Sequence, residues 1–280
     1  MRVVVVGGEG QLGQALLKVA PKDIDVRGLS RAECDVTAPA VDKLADADVI
    51  INTAAFTNVD GAEAAPNAAR AINAVGAGAL AEVADEVGAH FIQISTDYVF
   101  GEGVEPRPLL VDDPKEPNTV YGKTKLEGEL AVLSVCPSAA IVRTAWLFSG
   151  DLLPHKDFVS TMLRLARGSD PVRVVNDQWG SPTNAFDLAA GLWEVAQRQV
   201  GGVLHGVGAG QATWYDLARE VFEACGADPE RVSPCTTEEF PRPAPRPHWS
   251  VLDTSSWLAA DLSPLPEWRT AVRRSVSTKL

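Results

Sequence analysis

The chain has 280 residues, of which 46% are hydrophobic and 22% are charged, and its formal net charge is −12. This length fits one large α/β domain or a domain with a smaller lobe, and the composition is that of an ordinary globular protein. The acidic balance argues against a general nucleic-acid or anionic-membrane surface, because both partners need a basic face.

The four cysteines are scattered without a Cys-x-x-Cys pair, so we expect neither a metal framework nor a disulfide lattice. The usual compartment rule predicts buried or free thiols in a reducing cytosol. The N-terminus lacks a signal-peptide pattern, and no apolar run approaches the length of a membrane helix. We therefore predict a soluble cytoplasmic protein with no nucleic-acid and no membrane partner.

Strand-like and helix-like segments alternate along the first half of the chain. Short apolar runs predict strands at 2–6, 23–29, 48–55, 90–96 and 139–148. Helical patterns lie between them, at 11–20, near 38–45, at 66–88 and from 118 onward, with Pro66 near a start and Gly88 at a stop. This alternation predicts an α/β fold with a doubly wound, Rossmann-like parallel sheet.

After Gly150 the alternation becomes less regular. Helices are predicted at 157–168, 184–199 and 213–226, the last one opened by Thr213, and strands at 172–177 and 201–208. A proline-rich loop with two arginines follows at 241–250. We therefore expect a smaller, mixed α/β C-terminal lobe beside the main sheet.

A glycine turn joins the first strand to the first helix. Gly7, Gly10 and Gly13 are spaced G-x-x-G-x-x-G at this junction. Glycines let the turn tighten and let backbone N–H groups approach a pyrophosphate at the helix N-terminus. In this strand-turn-helix context the pattern predicts dinucleotide binding, with a plain tight turn as the alternative.

The end of the second strand distinguishes between cofactors. Ser30 and Arg31 stand where an acidic residue would be expected to bind the ribose 2′-hydroxyl of NAD. A hydroxyl and a guanidinium suit a 2′-phosphate, which favours NADPH over NADH unless Arg31 is only a solvated charge. Asp35 lies further on and is a candidate acceptor for an adenine amino group, or a helix cap.

A tyrosine and a lysine lie one helical turn apart. Tyr121 and Lys125 are at i and i+4 and share one helix face. A nearby ammonium favours the phenolate, so Tyr121 can give its proton to a carbonyl that is becoming an alkoxide. Thr96, at the end of a predicted strand, can hold the same carbonyl oxygen. Because Tyr-x-x-x-Lys alone is common, this predicted catalytic set depends on its strand and glycine-turn context.

Other residues have a functional and a structural interpretation. Trp146 lies near the end of the predicted strand 139–148 and is expected to form a wall facing the substrate rather than a core contact. Arg246, and less so Arg242, can present a guanidinium to a diphosphate, or be surface charges. Asp60 and Glu63 have the spacing of a capping box, which is the structural role expected for them.

The motifs together resemble the dTDP-4-dehydrorhamnose reductase family of extended short-chain dehydrogenases/reductases. The similarity runs from residue 1 to about residue 253. It rests on the stretches GGEGQLG, NTAAFTNVDGAE, STDYVFGEG, VYGKTKLEGE, VRTAWLF, DFVSTMLRLA, VVNDQWGSPTNAFDLA and RPAPRPHWSVLD. DQWGSPT and RTAWLF are fairly specific to the family, whereas the glycine turn and Tyr-x-x-x-Lys are not.

The resemblance implies the last step of dTDP-L-rhamnose synthesis, the NAD(P)H-dependent reduction of the C4 ketone of dTDP-4-dehydro-L-rhamnose. It implies that Tyr121 is the proton donor and Lys125 its partner, both also near the cofactor, and that Thr96, Asp97 and Trp146 contact the sugar. The further cofactor contacts that it implies are Gly10, Gln11, Leu12, Asp35, Val36, Ala54, Ala55 and Phe56.

The resemblance also implies a domain division. Residues 1–150 plus 184–208 would form the dinucleotide-binding domain, and 151–183 plus 209–280 the substrate-binding lobe, with the substrate in the cleft between them. Two departures matter. Phe56 replaces the family's usual tyrosine or histidine. Ala15 and Phe186 replace glutamates through which some members bind magnesium, so no such metal is expected and a homodimer is left open.

Two rival functions stay open. One is the reduction of another dTDP-deoxyketosugar, which nothing in the sequence separates sharply from the first. The other is a regulatory subunit like that of methionine adenosyltransferase, which resembles this family and acts by binding a partner enzyme. The intact Thr96, Tyr121 and Lys125 argue against this second rival.

Overall fold

A computed structural model of the chain describes residues 1–102 and 106–276. Residues 103–105, in the predicted first domain, and residues 277–280, in the predicted lobe, lie outside the described part. No helix among the described residues combines the length and the apolar character needed to cross a membrane.

The described strands are β1 (Arg2–Val6), β2 (Asp25–Leu29), β3 (Val49–Asn52), β4 (His90–Thr96), β5 (Ala140–Thr144), β6 (Leu147–Phe148), β7 (Val172–Val175), β8 (Trp179–Gly180), β9 (Thr183–Asn184), β10 (Gly202–His205), β11 (Ala212–Thr213) and β12 (Val232–Cys235). The described helices are α1 (Gln11–Lys18), α2 (Val41–Leu44), α3 (Val59–Ala64), α4 (Pro66–Arg70), α5 (Gly76–Val87), α6 (Val120–Val135), α7 (Phe158–Ala166), α8 (Ala185–Arg198), α9 (Trp214–Ala224), α10 (Ser255–Ala259) and α11 (Trp268–Ser275). Short 3-10 turns occupy Asp97–Val99, Gly150–Leu152 and Pro229–Arg231.

Six parallel strands form the central sheet in the order β10-β5-β4-β3-β1-β2. The chain runs outward from β1 to β2 and then continues on the other side of β1 with β3. The strand order therefore reverses between β1 and β3, and ligands of doubly wound sheets bind outside the carboxyl ends of the strands at such a point. The predicted α/β class and parallel sheet are confirmed.

Both faces of this sheet are covered by helices. Val3 and Val5 of β1 pack in one apolar cluster with residues of α1 and α8, whereas Val4 and Val6 pack in another with residues of α5 and α6. Because successive side chains of a strand point to opposite faces, a strand buried on both sides must be apolar throughout. This explains the continuous valine run at the start of the chain.

The C-terminal lobe has its own core. Apolar side chains of α7, α9 and α11 pack there with those of β7 and β12, which pair in parallel. Thr213 begins α9 with a capping box to Asp216, so the predicted helix start is confirmed. Residues 255–265 differ from the predicted division, because Trp257, Leu262 and Leu265 pack against the main-sheet core beside α8 rather than in the lobe.

Two local expectations need correction. The helix expected at 66–88 contains a π-helical turn at Ala71–Val75 between α4 and α5, although it begins at Pro66 and ends at Gly88 as expected. Asp60 and Glu63 do not form a capping box. Asn58 caps α3 by accepting a hydrogen bond from the Gly61 N–H at 2.9 Å, while Glu63 accepts from the Val120 N–H.

Candidate active site

A cavity of about 790 Å³ opens at the carboxyl ends of the parallel strands. It is lined by residues that follow β1, β3, β4 and β5, by α6, and by the lobe residues His155, Lys156 and Trp214. Its volume lies in the range of small-molecule and cofactor sites. The cavity therefore extends from the glycine turn of the main sheet to the lobe.

The glycine turn has the backbone geometry that a dinucleotide site requires. Gly7 has a φ of +82°, and a Cβ there would lie 2.8 Å from the Ala54 nitrogen. A Cβ on Gly13 would lie 2.3 Å from the Gly7 carbonyl oxygen, so this glycine lets α1 pack closely against the turn. The first N–H groups of α1 have no acceptor within the helix and can bind an anion. The turn therefore fits a cofactor diphosphate.

The end of β2 contributes a cation to the cavity. Arg31 lines the cavity with its side chain 79% exposed, 3.8 Å from the Asp35 carboxylate. Asp35 also lines it and accepts hydrogen bonds from the Thr37 N–H and hydroxyl. The Ser30 hydroxyl donates to Glu33 at 2.7 Å and does not line the cavity. Of the two residues predicted to contact a 2′-phosphate, Arg31 is the one that faces the cavity.

Helix α6 carries the tyrosine and the lysine into the cavity. Thr119 caps the helix by accepting a hydrogen bond from the Gly122 N–H at 3.0 Å. Tyr121 and Lys125 follow on the face that lines the cavity. The Lys125 ammonium is buried and donates a hydrogen bond of 2.7 Å to the Ile94 carbonyl oxygen of β4. The i, i+4 spacing therefore places the two groups on one face, as the sequence predicts.

Thr96 and Asp97 lie beside them at the end of β4. The Thr96 hydroxyl donates to one Asp97 carboxylate oxygen at 2.9 Å and accepts from the Tyr98 N–H at 3.3 Å. Both side chains are buried and line the cavity. Burial raises the pKa of the Asp97 carboxyl to about 6. Thr96 and Asp97 thus offer a hydroxyl and a carboxylate to a polar ligand.

Burial also shifts the two groups on α6. It raises the pKa of Tyr121 to about 12, and a hydrogen bond with the Thr96 hydroxyl opposes this rise in part. It lowers the pKa of Lys125 to about 8, which the nearby Glu129 carboxylate opposes. Tyr121 is therefore a protonated phenol near neutral pH and lies in contact with Thr96. The arrangement can donate a proton to a carbonyl oxygen bound between them.

An aromatic wall closes the lobe side. Trp146 follows β5, and its indole stacks on Trp214 of α9 with ring centroids 3.6 Å apart. Trp146 has a positive φ of 47°, which is rare for a bulky residue. Both rings line the cavity. The stacked pair therefore presents apolar ring atoms to the cavity on its lobe side.

The structure brings most of the residues predicted to form the site to one cavity. Those lining it are Gly7, Gly10, Gln11, Leu12, Arg31, Asp35, Val36, Ala54, Ala55, Thr96, Asp97, Tyr121, Lys125 and Trp146.

Four residues predicted for the site do not line the cavity: Gly13, Ser30, Phe56 and Arg246. Arg246 instead forms an ion pair of 3.0 Å with Asp60, which lies in α3. The Phe56 N–H donates to the Asn73 side chain.

The cavity-lining residues that sequence reasoning missed include Tyr98, His155, Lys156 and Trp214. The ring of Tyr98 meets that of Tyr121 edge to face, with centroids 5.5 Å apart. Tyr98 lies within the strand-end motif that contains Thr96, so that motif could have indicated it. The three lobe residues have no local signal, because only the tertiary fold brings them to the sheet.

No group of three or more His, Cys, Asp or Glu side chains in the described ranges could hold a metal ion. At the two positions where a magnesium-binding glutamate would be expected, Ala15 is fully buried in the core and Phe186 packs against it.

Comparison with known proteins gives consistent matches over the whole chain. A family model described as the RmlD substrate binding domain matches residues 1–280. The dTDP-4-dehydrorhamnose reductase of Mycolicibacterium smegmatis is 46% identical over 280 residues, which cover 99% of this chain and 85% of that protein.

Two solved structures are similar throughout. A dTDP-4-dehydrorhamnose reductase from Clostridium acetobutylicum has a TM-score of 0.92 and 38% identity, covering 98% of both chains. A dTDP-4-dehydrorhamnose reductase from Bacillus anthracis, in complex with NADP, has a TM-score of 0.90 and 31% identity, covering 98% of this chain and 97% of that one.

Proposed function

Because the chain belongs to the RmlD substrate binding domain family, we propose that it reduces the C4 ketone of dTDP-4-dehydro-L-rhamnose to dTDP-L-rhamnose, with NADPH as the reductant. One observation carries the proposal most directly. Thr96, Tyr121 and Lys125 meet in a cavity whose other end is the glycine turn of a doubly wound sheet. This arrangement supports a reductase rather than a binding subunit, because a binding subunit has no need of a proton donor in the cavity.

The bound cofactor supplies the hydride. The chain's own residues would orient the ketone and provide the proton. Tyr121 donates its phenolic proton to the C4 oxygen as negative charge develops there, and the Lys125 ammonium stabilises the phenolate that results. The hydrogen bond from Lys125 to the Ile94 carbonyl oxygen fixes the ammonium in this position.

The substrate would lie on the lobe side of the cavity. The Thr96 hydroxyl can donate to the same oxygen that Tyr121 protonates once its hydrogen turns away from Asp97, since both residues line the cavity. Asp97 can accept hydrogen bonds from sugar hydroxyls, and Trp146 can pack against the sugar face. Arg246 would reach a substrate diphosphate only if its ion pair with Asp60 opened.

The cofactor would occupy the glycine-turn side. Gly7 to Leu12 would approach its diphosphate, and Arg31 its 2′-phosphate, which favours NADPH over NADH. The same proposal includes the predicted division into a dinucleotide-binding domain and a substrate lobe. It also includes a cytoplasmic location and a homodimer. Size-exclusion chromatography with light scattering tests the dimer.

The proposal is tested by absorbance at 340 nm. Purified protein is mixed with dTDP-4-dehydrorhamnose, and the oxidation of NADPH and of NADH is followed in parallel. Rapid loss with NADPH and slower loss with NADH supports both the reaction and the cofactor assignment. Faster loss with NADH contradicts the cofactor assignment alone. Loss only with another dTDP-ketosugar supports the first rival, and no loss with any ketosugar, together with co-purification of a synthetase, supports the second.

A further inference from the structure

We infer that Lys156, assisted by His155, forms a second contact for the cofactor diphosphate, opposite the glycine turn and supplied by the lobe. The inference rests on the proposed function, because it assumes a dinucleotide in the cavity. It adds a binding residue that lies far from the glycine turn in sequence.

The position of Lys156 follows from its neighbour. Asp157 accepts a hydrogen bond of 2.8 Å from the Gln11 side-chain amide, and Gln11 is the first residue of α1. The same carboxylate oxygen accepts from the Ser149 and Gly150 N–H groups. Asp157 thus fixes the lobe segment against the helix N-terminus where a diphosphate binds. Lys156 precedes it directly and lines the cavity.

A cation beside the glycine turn would offset a negative charge that lies within the turn. Glu9 lies within the glycine turn and lines the cavity, and its carboxylate opposes the binding of an anion. Among the described residues, the lysines and arginines that line the cavity are Arg31, Lys125 and Lys156. Arg31 lies at the β2 end and Lys125 on α6 beside Tyr121. Of the three, Lys156 is the one that adjoins a residue bonded to the glycine turn, through Asp157 and Gln11.

His155 provides a second, independent observation. Its Nε2 atom is buried and has no hydrogen-bond partner in the part of the chain that the structure describes, although the residue lines the cavity. A buried polar atom without a partner costs free energy unless a ligand satisfies it. His155 also borders a second cavity beside Gly150 and Ser160, so a diphosphate oxygen next to Lys156 would be such a partner once the ring turns toward it.

Two ligands of this enzyme would carry a diphosphate, the cofactor and the sugar nucleotide. The hydrogen bond between Asp157 and Gln11 places Lys156 on the cofactor side, since Gln11 belongs to the glycine turn. The cofactor is therefore the expected ligand, and the experiment must separate the two sources.

The test compares Lys156→Gln, Lys156→Arg and a control, Lys22→Gln, in the full-length protein. Lys22 is an exposed lysine that does not line the cavity. The Kd of NADPH is measured by fluorescence titration without sugar nucleotide, and the Kd of dTDP by calorimetry. Lys156→Gln should weaken NADPH binding about tenfold, as for the loss of one charged hydrogen bond. Lys156→Arg and Lys22→Gln should change it by less than about twofold, and dTDP binding should stay as in the wild type.

An unchanged NADPH Kd for Lys156→Gln overturns the inference. Weaker dTDP binding with normal NADPH binding also overturns it, because the lysine then serves the sugar nucleotide. A wild-type protein that binds NADPH but reduces no ketosugar contradicts the proposed reaction. The NADPH titration of Lys156→Gln then still tests the role of Lys156 in cofactor binding. A wild-type protein that binds no NADPH contradicts both.

Discussion

The indole rings of Trp146 and Trp214 stack with their centroids 3.6 Å apart and their planes at 8°. Trp146 follows the sheet strand β5, and Trp214 begins the lobe helix α9, so the stack joins the two halves of the chain across the cavity. Gly180 lies against the Trp146 ring, where a Cβ would be 2.3 Å from its Cε2 atom. The positive φ of Trp146 is a costly conformation that this packing maintains. The stack therefore fixes Trp146 as a wall of the cavity.

We expect Trp214→Ala to raise the KM for the sugar nucleotide about fivefold, because the loss of one aromatic pair is worth about 1 kcal/mol. The Kd of NADPH should change less, since Trp214 stacks on Trp146, which is assigned to the sugar and not to the cofactor. Trp214→Phe keeps an aromatic face, so its KM for the sugar nucleotide should lie between those of the wild type and Trp214→Ala. Steady-state kinetics with a parallel cofactor titration checks this. Equal KM values for all three proteins would mean that Trp214 has no role in holding the substrate.

Arg31 should determine the preference for NADPH. Arg31→Ala should raise the KM of NADPH about tenfold by removing the guanidinium from the 2′-phosphate, and should leave the KM of NADH unchanged. Arg27→Ala serves as the matched control, because Arg27 lies on β2, just before Arg31 in the chain, and pairs with Asp46 outside the cavity. A similar rise in KM for NADPH and NADH in Arg31→Ala would show that Arg31 does not contact the 2′-phosphate.

The rate of reduction should depend on the protonation of Lys125. Burial lowers the pKa of this lysine to about 8, so the ammonium form is present below that pH and is lost above it. Burial raises the pKa of Tyr121 to about 12, so the proton donor stays protonated over the same range. We expect kcat/KM to fall about tenfold for each pH unit above about 8. Lys125→Met should be slower and should lack this decrease, and a wild-type profile that is flat to pH 10 would contradict the assignment.

Glu129 and Arg143 form a buried ion pair next to the proposed catalytic residues. Arg143 donates to both carboxylate oxygens at 2.9 and 2.8 Å, and the two side chains are 2% and 3% exposed. Arg143→Met should lower the free energy of unfolding by about 3–5 kcal/mol, because it leaves a buried carboxylate unpaired. Urea denaturation of Arg143→Met and of the double variant with Glu129→Leu checks this.

The double variant should lose less stability than the sum of its single variants, because no unpaired charge is left. Arg173→Met is the control, because the pair that Arg173 forms with Glu239 is exposed, and it should leave the urea midpoint unchanged. Additive losses in the double variant would show that the two buried groups do not depend on each other.

The sequence predicts best what depends on local spacing. The valine run of β1, the glycine turn and the Tyr121–Lys125 spacing each specify their own geometry, and the structure has all three. The parallel sheet follows from the alternation of these elements.

What the sequence does not reveal depends on distant partners. Asp60 and Glu63 have the right spacing for a capping box, yet their carboxylates pair with Arg246 and with the Val120 N–H, which local spacing cannot indicate. Trp214 and Lys156 reach the cavity because the lobe packs against the sheet. No local pattern identifies a residue that only tertiary packing brings to a site.

The proton-donor role of Tyr121 is tested most directly by one comparison. The initial rate of NADPH oxidation with dTDP-4-dehydrorhamnose is measured for the wild type and for Tyr121→Phe, with the Kd of NADPH determined for each. We expect the variant to bind NADPH as the wild type does and to turn over at least about a hundredfold more slowly, since it lacks the acidic proton. Turnover near the wild-type rate with unchanged NADPH binding would contradict the mechanism.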